Sequence, residues 1–358
     1  MQSLCSRLVL ASLLALSLCT PAAAQRTPPW QSLSEESLAL FLQGKYDQSI
    51  AVANKGLAMV EQRQGAEHQG AAVFLNRIAE NYRLQARYEL AEPLYERALR
   101  ITEKTLGADH ARMAVMLTNF GVLRVVQGRH GEAEKMLMRA LAIRERDAAS
   151  DVAHMAVTLN GLAIIYTKRG QPDQAEAALK RAVAVSESAR GPVTPDVART
   201  LGNLGELYTQ QRRFRESEAT YMRALAIWEK SSGANHPLSA ATLNGLGELY
   251  RAENRLDEAI TTYKKAIALV DDALNRDHPR MAESLAGAAS IHALLEEYEV
   301  AEAFYKRALE IREKSFGENH PATVRTMEEL SEVYFKLKMT AEGEKLESRA
   351  LDIRTRKR

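Results

Sequence analysis

A register of 42 residues runs through this chain. Blocks beginning at His68, His110, Val152, Thr194, His236, His278 and His320 follow one another without an insertion, and a shorter unit in the same register starts near Trp30. Each block holds two stretches whose apolar residues recur at three- and four-residue steps, the helical period, as in TLNGLGELYR and DEAITTYKKAIALV. Turn residues separate the two, as in Gly44-Lys45-Tyr46, Gly128-Arg129-His130 and Gly170-Gln171-Pro172. Nothing past the leader reads as a strand. A two-helix unit of this length cannot bury its apolar faces alone and does so by stacking on its neighbours. The expected fold is therefore all-α, a right-handed α-solenoid of eight antiparallel helix pairs over residues 33–358. The units lie near 30–63, 72–105, 114–147, 156–189, 198–231, 240–273, 282–315 and 324–357.

Three columns hold small residues in all eight units. The first is Ser37, Ala79, Gly121, Ala163, Gly205, Gly247, Ala289, Ser331; twelve residues later come Ser49, Ala91, Ala133, Ala175, Ser217, Ala259, Ala301, Gly343. Seven further on stand Gly56, Ala98, Ala140, Ala182, Ala224, Ala266, Ala308, Ala350. Small side chains are needed where helix backbones approach closely. Tyr82, Tyr166, Tyr208, Tyr250 and Tyr334 on first helices, with Tyr95, Tyr221, Tyr263 and Tyr305 on second helices, read as core filling between them.

Leu246-Gly247, Tyr250, Ala259, Tyr263 and Ala266 stand at the spacing of the tetratricopeptide pattern. With its 42-residue period and the wording HP…TLN.LG.LY…EA…Y.RALAI.EK, the chain resembles tetratricopeptide repeats of the kinesin-light-chain type. HEAT and armadillo repeats overlap in period but lack the three small columns. Arg124 and His292 replace the first-helix tyrosine, and Glu347 replaces the second-helix aromatic of the last repeat, where a polar residue suits a terminal unit.

Five histidines, His68, His110, His236, His278 and His320, share one phase, which raises the question of a metal site. Successive helix pairs are on the order of 10 Å apart, whereas zinc needs each imidazole nitrogen at about 2.0–2.1 Å. These histidines cannot share an ion. Pro195, Pro237, Pro279 and Pro321 follow the column, where a first helical residue loses nothing by lacking an N–H, and Thr194 takes the histidine's place in one block. The column marks helix starts.

The first 24 residues carry Arg7, an apolar run from Leu8 to Leu18, and Ala22-Ala23-Ala24 before Gln25, the pattern of a cleaved secretory leader. Residues 25–32 form a short Pro-containing linker. The apolar run is too short to span a membrane, and Leu18 is too large for lipidation at Cys19, a weaker alternative. Both cysteines lie in the leader, so the exported chain, periplasmic or secreted, holds no thiol or disulfide. With 48 Lys plus Arg against 46 Asp plus Glu, no general attraction to nucleic acid or an anionic membrane is expected. The tail RTRKR reads as cations completing the last helix. No G-x-S-x-G, H-E-x-x-H or phosphate-binding glycine motif occurs, so no catalytic residue, cofactor or metal is assigned. Charges on second helices, as in YERALRITEK, read as four-residue ion pairs on a solvated face.

Function would then live on the concave surface that first helices present. Asn76, Asn119, Asn160, Asn203 and Asn244 recur on five of these helices. The resemblance implies that such asparagines line a groove and grip a peptide backbone, and an amide has the donor and acceptor for it. Val122, Ile164 and Glu206 are candidate pocket walls one turn on, and Arg83, Lys168, Arg199 and Arg251 would favour an acidic partner. The expected activity is that of a non-enzymatic protein- or peptide-binding scaffold. The alternative is a structural subunit of an envelope assembly, as in polysaccharide or protein export. Homo-oligomerisation stays open.

Overall fold

The chain's small-residue columns and helical periodicity translate into helix pairs throughout the computed structural model, which describes residues 28–146, 152–233, 236–273 and 277–355. The proposed leader, the first three residues of the linker after it and the last three residues of the basic tail lie outside the described residues. Two compact units are present, the first ending at Pro192 and the second spanning Val193–Arg358. Unit 1 has first helices α1 (Gln31–Leu42), α3 (Gln69–Leu84), α5 (Ala111–Val126) and α7 (Val152–Lys168). Its second helices are α2 (Tyr46–Gln64), α4 (Tyr88–Leu106), α6 (His130–Arg146) and α8 (Pro172–Arg190). Unit 2 alternates likewise: α9 (Pro195–Gln210), α10 (Phe214–Ser232), α11 (Ser239–Ala252), α12 (Leu256–Ala273), α13 (Pro279–Leu294), α14 (Tyr298–Phe316), α15 (Pro321–Lys336) and α16 (Thr340–Thr355). Among the described residues there are sixteen helices and no strand, an all-α repeat solenoid.

First helices α3, α5, α9, α13 and α15 begin where the histidine column places them. His68, His110, His278 and His320 are N-caps whose Nδ1 accepts the backbone N–H two residues on, at 3.0, 3.0, 3.1 and 3.1 Å. Thr194 does the same job with its hydroxyl, which accepts from the Val197 N–H at 3.4 Å. Pro195, Pro279 and Pro321 open their helices as expected. Pro237 does not: α11 starts at Ser239, although His236 Nδ1 still accepts from the Leu238 N–H at 3.3 Å.

Within a pair, the first two small columns face each other. Where they carry serine, hydroxyls bridge the contact: Ser49 Oγ donates to the Ser37 carbonyl at 2.8 Å, Ser217 Oγ to Gly205 at 2.8 Å and Ser331 Oγ to Gly343 at 3.0 Å. Ala91, Ala133, Ala175, Ala259 and Ala301 are wholly buried beside them. Between repeats the glycines serve a different purpose, as slots for a side chain. The Tyr221 ring passes between Gly205 and Gly245, and the Tyr263 ring between Gly247 and Gly287; a Cβ on any of the four would sit 2.2–2.9 Å from the ring. Leu137 fills the equivalent slot between Gly121 and Gly161.

A second inter-repeat bond recurs fourteen residues before a first-helix hydroxyl. Arg144 Nη1 donates to Thr158, Trp228 Nε1 to Thr242 at 3.0 Å, and Arg312 Nη1 to Thr326. On the outer surface the charges of second helices pair mostly across repeats, and less within one helix. Arg97 bonds Glu61, Arg139 bonds Glu103, Arg181 bonds Glu145 and Arg349 bonds Glu313, each 36 residues back. Four-residue pairs such as Lys180–Glu176 and Lys306–Glu302 are the minority pattern there. The arginine and glutamate of the RALAI.EK wording are thus placed to staple one second helix to the end of the previous one.

Candidate binding surface

In each unit, first helices of neighbouring repeats pack directly: α1 on α3, α3 on α5 and α5 on α7 in unit 1, and α9 on α11, α11 on α13 and α13 on α15 in unit 2. Within each unit, second helices pack on the first helix before them and on any first helix that follows, and meet one another marginally at most. Each stack is therefore tighter along its first helices, which form the inner layer. Helical spacing puts Val115, Val122 and Val126 on the inner side of α5, and Val157, Ile164 and Lys168 on that of α7. At the aligned places unit 2 carries Arg199, Glu206 and Gln210, then Ala241, Glu248 and Ala252, then Glu283, Ser290 and Leu294, then Arg325, Glu332 and Lys336. Apart from Lys168 the inner rows of α5 and α7 are apolar, whereas those of unit 2 carry most of the charge. Val122, Ile164, Lys168, Arg199 and Glu206, all expected from the sequence to line the groove, fall in these columns.

The five asparagines do not form one column. Their spacings alternate between 43 and 41 residues, and each one-residue offset turns the side chain by about 100°. All five are buried, at 2–6% exposure. Asn119 Nδ2 donates to Asn76 Oδ1 at 3.1 Å, Asn244 Oδ1 accepts from Ser284 Oγ at 2.8 Å, and Asn160 Nδ2 donates to the Ala156 carbonyl of its own helix at 2.8 Å. Asn203 is likewise buried and bonded within the chain. These amides join first helix to first helix or bond to their own backbone.

The expected cations are also engaged. Arg83 lies buried on Glu80 at 3.3 Å, and Tyr95 donates its hydroxyl to the same carboxylate. Burial opposes the Arg83 charge, but Glu80 and the nearby tyrosines more than compensate and hold its pKa above the ordinary value. Arg199 pairs with Asp196 at 2.5 Å and Arg251 with Glu248 at 2.7 Å. Lys168 is half-buried and has a partner within the chain. Arg83, Arg199 and Arg251 thus each have a carboxylate of their own helix as partner. Glu206 is half-exposed on α9, one turn below Gln210, which donates to it at 3.5 Å.

Two tyrosines from second helices deepen the charged inner face of unit 2. Tyr263 reaches through its glycine slot and donates to Glu248 at 2.5 Å. Burial, then the Glu248 charge, push its phenol well above the ordinary range. Tyr305 is raised as well, by burial and then by Glu329. In unit 1, Arg77 sits over the Phe41 ring, 5.3 Å from its centroid, with its pKa lowered by burial to about 10 despite Glu80. Among the described residues no group of three His, Cys, Asp or Glu could hold a metal ion, and no helix is long and apolar enough to cross a membrane.

The tetratricopeptide repeat model matches residues 32–103, 70–146, 154–229, 196–272, 255–314 and 280–356, and the chain belongs to that family. No curated protein matches the sequence. Among solved structures, the chain resembles BtubC (BKLC) from P. vanneervenii, with a TM-score of 0.50 and 22% identity over 66% of this chain and 94% of that one. It also resembles the apo form of RapI, with a TM-score of 0.56 and 14% identity over 80% and 98%. The putative kinesin light chain TPR-like repeats of Podosopora anserina align at a TM-score of 0.46 and 20% identity over 56% and 94%. At these identities the likeness is one of fold.

Proposed function

We propose that the chain is a non-enzymatic scaffold that binds an extended segment of a protein partner along the inner layers of its repeats. The observation that carries this reading is the row of charged, solvent-accessible first-helix side chains in unit 2. Arg325 and Glu332 are exposed there, and Arg199, Glu206, Glu248 and Glu283 are half-exposed. Repeat stacks present such rows to extended partners. The buried asparagines support the surface from beneath, and the charges above them make the contact. The leader pattern supports export to the periplasm or beyond, and the mature protein's mass should then begin at Gln25. A chain retaining Met1 in the cytoplasm would refute export.

The binding test compares partners co-purified from the native envelope by three forms of the protein. One is the parent, one carries Glu206→Arg, Arg325→Glu and Glu332→Arg, and one carries Lys180→Glu and Lys306→Glu on second helices. Loss of partners in the inner-layer variant alone supports the reading. Loss only in the outer variant would favour assembly through second helices, as in a structural subunit of an export machine, and would overturn it.

A further inference from the structure

The seventh repeat breaks a surface rule that the two repeats before it keep. In the fifth and sixth repeats the turn between helices carries one arginine held by a polar side chain on either side. Arg213 bonds Gln211 and Glu216, and Arg255 bonds Glu253 and Glu258, all at 2.7–2.9 Å. The two flanking places are therefore neighbours on the surface. In the seventh repeat the same three places hold Leu295, Glu297 and Val300. Leu294 precedes them, and Phe335 stands in the next repeat, where a Cβ on Gly343 would lie 2.7 Å from its ring. Of the nine large apolar side chains exposed among the described residues, Leu294, Leu295, Val300 and Phe335 are four, at 39–57% exposure. Scattered apolar residues on a surface need no explanation, but a patch of them, where equivalent repeats place ions, marks an interaction site.

The charges around the patch point to what covers it. The turn of the seventh repeat, residues 294–300, has Glu296, Glu297 and Glu299 and no lysine or arginine. The turn of the eighth, residues 336–342, has Lys336, Lys338 and one carboxylate, Glu342. Glu297 is engaged by His292. Glu296, Glu299, Lys336 and Lys338 are exposed and in no ion pair among the described residues. The two turns are close: Ala293 and Tyr298 from one, and Leu337 and Met339 from the other, pack on the same buried cluster. The spacing of successive repeats, on the order of 10 Å, keeps their charges from pairing within one chain. A surface with an acidic arm, an apolar centre and a basic arm becomes complementary to itself when turned about a two-fold axis. We propose that this turn edge is a self-association surface for a second copy of the chain. Lys336 and Lys338 of each copy meet Glu296 and Glu299 of the other, and Leu295 and Val300 are covered between them.

Sedimentation velocity of the purified chain between about 1 and about 100 µM is the test. The parent should show a monomer–dimer equilibrium; a parent that stays monomeric throughout would overturn the proposal, whatever other protein then covers the patch. Leu295→Gln with Val300→Glu gives the seventh repeat the residues of the fifth and should weaken the dimer by about tenfold or more. Two charge variants, confined to exposed side chains, are more specific. Glu296→Lys with Glu299→Lys makes both arms basic, and Lys336→Glu with Lys338→Glu makes both acidic. Each alone should be monomeric, while an equimolar mixture should recover a dimer with one copy of each. Charge variants that self-associate like the parent, or a mixture that stays monomeric, would refute it. The inner-layer variant, Glu206→Arg with Arg325→Glu and Glu332→Arg, should dimerise as the parent does even where it loses its partner. Loss of the dimer in that variant would move self-association to the inner layer and overturn the proposal as well.

Discussion

At the scale of single residues, the sharpest constraints are steric. A Cβ on Gly287 would lie 2.2 Å from the Tyr263 ring, too close for any side chain to occupy without moving the ring. Gly287→Ala should cost about 1–3 kcal/mol through overpacking. In a Tyr263→Ala background the slot is vacant and the same change should cost little. The check is a double-mutant cycle by urea unfolding, and a penalty that persists without the ring would place the strain elsewhere. The turn inside each repeat makes a second demand. Its left-handed position holds Gly44, Ala86, Gly128 and Gly170 in unit 1 and Arg212, Asn254, Glu296 and Lys338 in unit 2, the five non-glycines at φ of 56–61°. An L-residue there costs roughly 1–2 kcal/mol, of which glycine's extra chain entropy returns about 0.5–1. Glu296→Gly should therefore raise stability by up to about 1 kcal/mol, and Gly128→Ala should lower it by a similar amount. Thermal melts that move the opposite way would show that the Glu296 side chain contributes more than its backbone strain removes.

At the scale of helices, exposed and buried arginines of one helix, α6, are predicted to differ sharply. Arg139 and its partner Glu103 are about half-exposed, so deleting this inter-repeat pair should cost less than about 1 kcal/mol and less still in high salt. Arg144 is 1% exposed and packed on Thr118 and Thr158. Arg144→Ala removes a core-sized side chain and should cost about 2–5 kcal/mol. Arg144→Met keeps most of the volume and removes the buried charge, so it should cost far less or nothing. If both variants of Arg144 unfold alike, the charge matters more than the packing. Much of this level was legible in the sequence, because a column of small residues in eight units, or of histidine in five, leaves few explanations. The alanines of the second small column had to meet another helix, and the histidines had to mark helix starts. What lay beyond the sequence was the identity of the neighbour. Nothing in the wording around Gly245 says that a tyrosine from the preceding second helix passes over it. The asparagines show the same gap: their alternating spacing was visible, but only packing shows that Asn244 meets Ser284 of the next first helix and not a ligand.

At the scale of the whole molecule, stability should behave as a chain of neighbours. The buried clusters follow the repeat order: Phe74, Ile78 and Ile101 pack at the start, Met281, Ala282 and Ile311 near the middle of unit 2, and Met327, Val333 and Ile353 at its end. In such a stack a local defect weakens the units that touch it and leaves distant ones intact. Ala98→Leu adds methylenes at a fully buried site on α4 and should destabilise its surroundings by about 1–3 kcal/mol. Amide hydrogen exchange should therefore speed up in α3, α4 and α5, while α13 to α16 keep their protection. Ala308→Leu, on the wholly buried face of α14, should give the converse pattern. The two melts should each split into an early and a late transition, with the early one belonging to opposite ends of the chain. Uniform loss of protection in either variant would mean that the repeats unfold as one cooperative body, and the neighbour-by-neighbour account of this solenoid would fail.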